Sequence, residues 1–167
     1  GWVFFGWGVL LAITSVWVWG NNEDGQLGDG TLTGHPTPER VTGLPASVAG
    51  ISAGGQFAEV LGTDGSVWGW GTNGIGQLNF APTGDPVTRP VSVIAAGSRI
   101  TQISAGGAHT LALRSDGTVL AWGLGVRGQL GADCATGTTP IVDHDRLSEI
   151  FLQSRLQEAR RDVHSAP

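Results

Sequence analysis

Few side chains in this sequence have the type and spacing that catalysis requires. The chain holds four histidines, one cysteine and fourteen carboxylates in 167 residues. His109 falls in an alternating, strand-like stretch, and no Ser, Cys or carboxylate constellation can be assigned to it as a partner for general base chemistry. A lone strand histidine reads as hydrogen-bonded structure. Cys134 has no second thiol to pair with and no His-rich cluster beside it, so neither a disulfide nor zinc-type spacing is present. Asn21-Asn22-Glu23-Asp24-Gly25 and Asp29-Gly30-Thr31 superficially resemble calcium loops. They lack the Asp-x-Asp-x-Asp-Gly spacing with a closing glutamate and read as turns. No Gly-x-x-x-x-Gly-Lys run offers a phosphate cradle. The expectation is no catalytic residue, no metal site and no cofactor.

Composition narrows the class. With 28 glycines, 40% hydrophobic and 14% charged residues, the chain reads as turn-rich, folded and all-β. The net charge of −5 and the absence of lysine give counterion release little to work with, which disfavours direct nucleic-acid binding. Residues 1–22 precede the first charge, Glu23, and are long enough to suggest a membrane-attached or secreted protein. Gly6, Gly8 and Gly20 interrupt that run and no positively charged segment precedes it, so a membrane role is not favoured. A chain that begins at Gly1 and contains no methionine reads as part of something longer. Nothing in the sequence assigns a compartment.

The elements that would position any site come from an internal repeat. Trp19, Trp70 and Trp122, each followed by glycine, are spaced by 51 and 52 residues. Gly-Gln-Leu recurs on the same step at Gln26, Gln77 and Gln129, and Ile-Ser-Ala-Gly-Gly recurs at 51–55 and 103–107. A period near fifty residues marks a propeller, solenoid or array. In the third copy, residues 109–113 and 119–122 alternate around Ser115-Asp116-Gly117-Thr118, which predicts a β-hairpin. Pro36, Pro38, Pro86, Pro90 and Pro140 mark outer strands or linkers, because proline cannot donate to a central ladder.

These landmarks resemble the regulator of chromosome condensation repeat, most closely from Gly106 to Leu113, Ser115 to Gly123 and Gly128 to Gly131. The likeness spans residues 9–142. It implies four-stranded antiparallel propeller blades, normally seven to a ring, with sequence repeats offset from blades. A partial propeller over 1–142 is therefore expected, with an incomplete first copy in which Ile13-Thr14 stands where later copies have Asp-Gly. The second copy departs from the third at Phe57 for His109 and Glu59 for Leu111, and carries Asn79 where the other copies have glycine. After Pro140 the pattern stops. Residues 143–167 read as a helical tail outside the repeat, with Asp145 as a cap and an apolar stripe through Leu147, Ile150, Phe151, Leu152 and Leu156.

Residues present in every copy are explained by the fold, because an active site needs one constellation and not three. Trp19, Trp70 and Trp122 are expected to fill space between layers. Gln26, Gln77 and Gln129 are expected to bond backbone groups at blade junctions. Recognition is expected where copies differ, in the loops between Trp-Gly and Gly-Gln-Leu, at Asn22, Glu23, Asp24, Asn73, Ile75, Val126 and Arg127. The functional expectation is a non-catalytic scaffold for protein–protein interaction through these loops. The resemblance offers guanine nucleotide exchange on a small GTPase as the alternative, which requires a complete propeller. Plant ultraviolet-B photoreception is discounted, because Gln56-Phe57 and Ala108-His109 occupy that relative's tryptophan positions. Terminal repeats leave strand edges bare, so flanking blades or self-association are expected to cover them.

Overall fold

A computed structural model describes residues 15–131 and the strand Val142–Asp143. The first eleven residues, the Ile13-Thr14 turn, Cys134, Pro140 and the predicted helix over 145–164 lie outside the described residues. Every regular element described is a strand. They are β1 (Trp17–Gly20), β2 (His35–Arg40), β3 (Val48–Ala53), β4 (Phe57–Gly62), β5 (Val67–Gly71), β6 (Val87–Ile94), β7 (Ile100–Ala105), β8 (His109–Arg114), β9 (Val119–Gly123) and β10 (Val142–Asp143).

Turn chemistry sets the connections. In the β8–β9 hairpin Gly117 sits at φ +88°, a left-handed conformation that a Cβ disfavours, and Asp116 Oδ1 accepts the Thr118 N–H at 2.9 Å. The β4–β5 hairpin repeats the device, with Asp64 Oδ1 accepting both Ser66 N–H at 3.0 Å and Ser66 Oγ–H at 2.6 Å. The Ser66 hydroxyl and backbone hold the Asp64 carboxyl below its ordinary range. The Thr118 backbone and hydroxyl do the same for Asp116.

The strands form two four-stranded antiparallel sheets in chain order, β3-β4-β5-β6 and β7-β8-β9-β10, beside a two-stranded pair, β1-β2. Two neighbouring blades therefore stand where two complete repeat copies predicted them. Proline-bearing β2 and β6 are edge strands, and the β5–β6 register slips between Gly69 and Gly71, opposite the stretch ending in Pro90. From Ser15 onward the 1–22 stretch is extended rather than helical, and among the described residues no helix is long and apolar enough to cross a membrane.

Alternation along the strands builds two apolar layers. Val16, Val41, Val48, Val60 and Trp70 pack between the two-stranded pair and the first full sheet. Leu61, Val67, Ile94, Ile100, Ala112, Leu120 and Trp122 pack between the two full sheets. Backbone ties reinforce the second boundary, where Gly55 N–H donates to Gly107 C=O at 3.0 Å and Ala105 N–H to Ser52 Oγ at 2.8 Å. Truncating a buried aromatic costs about 3–5 kcal/mol, whereas an exposed substitution stays within about 0.5 kcal/mol. Trp70→Ala is therefore expected to lower the chemical-denaturation midpoint sharply while Val126→Ala leaves it unchanged. Equal midpoints for the two variants would contradict the assignment of Trp70 to the core.

Candidate interaction loops and blade junctions

The first two loops between Trp-Gly and Gly-Gln-Leu have a base locked by an asparagine and an exposed tip. Asn22 and Asn73, expected on the exposed loop face, are instead buried. Asn22 Oδ1 accepts Leu27 N–H at 2.9 Å while its amide nitrogen faces Thr31 O at 3.1 Å and Asp29 Oδ1 at 3.2 Å. Asn73 repeats this strut, accepting Leu78 N–H at 2.9 Å and donating to Ala81 O at 3.1 Å. Only a short amide supplies donor and acceptor to opposite walls of one loop, which is what withdraws these two residues from the surface. The third copy has Gly125 at that position and no such strut.

The remaining loop candidates divide by burial. Glu23, Val126 and Arg127 are exposed, whereas Asp24 and Ile75 are half-buried. Asp24 ties neighbouring repeats together, accepting from Gln56 Nε2 at 2.9 Å and from Thr72 Oγ1 at 3.3 Å. Asn21 Oδ1 caps Glu23 N–H at 2.9 Å and Asp29 Oδ1 caps Thr31 N–H at 2.7 Å, so the calcium-like runs are aspartate and asparagine turns.

The recurrent glutamines bond backbone inside their own loops. Gln26, Gln77 and Gln129 each accept, through Oε1, the N–H two residues earlier, at 2.9, 2.9 and 2.7 Å. The bond across each blade junction uses the main-chain carbonyl of the same residue. Trp70 Nε1–H donates to Gln26 O at 2.8 Å, and Trp122 Nε1–H donates to Gln77 O at 2.9 Å. Gly28 lies so close to the Trp70 indole that a Cβ there would stand 2.8 Å from the ring. Trp19, by contrast, is 59% exposed, against 1% for Trp70 and 0% for Trp122. The same repeat position is thus buried only where an earlier Gly-Gln-Leu loop receives it.

Two further features were not singled out as sites. His109 packs its ring over Gly106 as Phe57 packs over Gly54, so the position takes a flat ring in both copies. Glu59 is buried in the junction between the full sheets, with Oε1 accepting Trp122 Nε1–H at 3.2 Å. Burial pushes its pKa up to about 8 against the pull of Thr110 and Trp122. Glu59 Oε2 and the Thr110 hydroxyl are both enclosed, and neither closes a hydrogen bond of good geometry. The signal for Glu59 in the sequence was a carboxylate at an apolar repeat position.

On the outer face of the second full sheet, Ile103, Leu111, Leu113, Val119, Gln129 and Leu130 line an open cavity of about 460 Å³. Leu111 and Gln129 stand there at the repeat positions of Glu59 and Gln77, the two acceptors of Trp122.

Four-stranded blades joined by tryptophan–carbonyl junctions define a repeat protein of the β-propeller class. The regulator of chromosome condensation (RCC1) repeat matches residues 15–61 and 64–113, and a second form of the same repeat matches 100–129. The chain belongs to the regulator of chromosome condensation repeat family. It is 40% identical over 125 residues to the mitochondrial RCC1 domain-containing protein RUG3 of Arabidopsis thaliana, covering 70% of this chain and 28% of that protein. It is 34% identical over 131 residues to the ultraviolet-B receptor UVR8 of the same plant, covering 75% and 30%. Human WBSCR16 superposes with a TM-score of 0.66 at 25% identity, over 77% of this chain and 32% of that one. Yeast RCC1 (Prp20), solved with Kap60, superposes at 0.62 and 21% identity over 78% and 33%, which shows the shared fold. The chain spans about a third or less of each of these proteins.

Two outcomes are expected. Asn73→Ala removes a buried donor and acceptor together and should cost about 1–3 kcal/mol, whereas Glu23→Ala should cost almost nothing. Equal denaturation midpoints would contradict the strut. Between the ordinary carboxylate range and about 8, folded Glu59 keeps a proton that the unfolded chain has released. Rising pH in that window therefore favours unfolding. The wild-type melting temperature should fall between about pH 5.5 and pH 8.5, and Glu59→Gln should flatten the fall. Parallel curves would show that Glu59 does not titrate across this window.

Proposed function

We propose that the chain is a non-catalytic scaffold that recognises a protein partner through the tips of its Trp-Gly to Gly-Gln-Leu loops. One observation carries this reading. A buried amide fixes the base of each of the first two loops, while the tips of all three differ in chemistry, with an acid at Glu23, no side chain at Gly74, and an exposed apolar–basic pair at Val126 and Arg127. Variable tips on a rigid frame suit recognition.

The relatives support assigning a scaffold and not a reaction to the shared repeat. They range from an ultraviolet-B receptor to a probable E3 ubiquitin-protein ligase, human HERC6, to which this chain is 38% identical over 12% of that protein. Nucleotide exchange on a small GTPase, the alternative from the resemblance, has no residue of this chain assigned to carry it. The open cavity over Leu111 and Gln129 supports a tryptophan-bearing strand of a flanking blade or a second copy as its occupant.

Combined Glu23→Ala, Val126→Ala and Arg127→Ala should abolish cross-linking to a protein partner identified by mass spectrometry while leaving the melting temperature unchanged. Retention of that partner by the triple variant would place recognition elsewhere. For the open cavity, light scattering should show concentration-dependent association that Leu111→Arg removes. A wild-type chain that stays monomeric throughout would rule out a second copy as the occupant.

A further inference from the structure

The loop and edge strand of the first repeat place three metal-ligating side chains together, outside every junction described above. Asp29 Oδ2 lies 3.4 Å from His35 Nε2, Glu39 Oε2 lies 3.9 Å from the same nitrogen, and the three donor atoms are all within 4.8 Å of one another. His35 and Glu39 share a face of β2, and Asp29 reaches them from the preceding loop. Among the described residues this is the one His, Cys and carboxylate cluster of such geometry.

Two of the three ligands, His35 and Asp29, are oriented from behind. His35 Nδ1 lies 2.7 Å from Thr37 O. A carbonyl has no proton to give, so Nδ1 must be the donor and the neutral ring presents its Nε2 lone pair to the carboxylates. That Nε2 is shut off from solvent and makes no hydrogen bond. Asp29 Oδ1 is engaged by Thr31 N–H at 2.7 Å and by Asn22 Nδ2 at 3.2 Å, which leaves Oδ2 to face the imidazole. A lone pair enclosed against two carboxylates is repulsive unless positive charge lies between them. Either a second proton on His35 or a metal ion supplies it.

We propose that Asp29 Oδ2, His35 Nε2 and Glu39 Oε2 bind one divalent metal ion of the zinc class, joining the first loop to β2. The donor set suits zinc, because imidazole nitrogen and carboxylate oxygen are both among its ligands. The separations fit as well. Metal–ligand bonds of about 2.0–2.1 Å place neighbouring tetrahedral ligands roughly 3.3–3.5 Å apart, so a small swing of exposed Glu39 completes three corners. Its exposure leaves the fourth corner to water. The backing bonds from Thr37, Thr31 and Asn22 are the outer-shell contacts that hold ligands in place. No short sequence motif announces this set, since its members stand six and four residues apart across a turn and an edge strand.

The test titrates cobalt(II) chloride, then zinc chloride, into the full chain after chelation and tag removal, following d–d absorption and the His35 imidazole resonances by NMR. One equivalent should bind, perturb the His35 ring and raise the melting temperature. His35→Ala should weaken binding at least tenfold, and Glu39→Gln, at an exposed position that folding tolerates, should weaken it similarly. Absence of saturable binding up to about 100 times the protein concentration would overturn the proposal, as would binding that Glu39→Gln leaves unchanged. A His35 ring doubly protonated at neutral pH and indifferent to cobalt would assign the cluster to an imidazolium ion pair instead.

Discussion

The structure depends on a tryptophan indole reaching the main-chain carbonyl of a glutamine in the preceding repeat. Trp70 to Gln26 and Trp122 to Gln77 are the same bond one period apart. A net hydrogen bond is worth only about 1 kcal/mol, but an indole N–H buried without an acceptor costs about 1–3 kcal/mol. The indole's apolar burial is therefore available only if the carbonyl is already in place. That requirement passes down to the loop. Gln26 and Gln77 hold it closed through Oε1, Asn22 and Asn73 brace it from inside, and Gly28 leaves room for the incoming ring. Apolar layers between sheets follow from the seating of these rings.

Repetition explains what was legible in the sequence. A feature required at every junction leaves a mark at every period, so the tryptophans, Gly-Gln-Leu runs and Asp-Gly hairpins located the sheets before any coordinate was known. What repetition conceals is the division of labour inside a motif. The glutamines were readable as backbone-bonding residues, yet the bond across the junction belongs to their carbonyls, which no residue type encodes. Asn22 and Asn73 looked like surface recognition residues because they stand in loops that differ between copies, and only the tertiary position of Leu27 and Leu78 shows that each amide points inward. Trp19 shares the motif but not the burial, because burial depends on a neighbour and not on the tryptophan itself.

Features that occur once were the hardest to read. Glu59 breaks the pattern at a position that is Leu111 in the next copy, and its environment exists only when two sheets meet. It doubles the acceptor for Trp122 and makes that junction sensitive to protonation. Asp29, His35 and Glu39 likewise converge only because the loop folds back on an edge strand whose pairing slips between Val18 and Gly20. Such single features distinguish one repeat from another on a common frame, and the exposed tips at Glu23, Val126 and Arg127 belong with them.

The indole–carbonyl junction is tested most directly by hydrogen exchange at the tryptophan side chains, read from nitrogen-15 indole resonances assigned with single Trp→Phe variants. Two indole protons, those of Trp70 and Trp122, should exchange as slowly as the core amides of β4 and β9, while those of exposed Trp17 and Trp19 exchange rapidly. Fast exchange at Trp70 and Trp122 in a chain whose core amides remain protected would contradict the account, because the sheets would then be held together without the bond on which it rests.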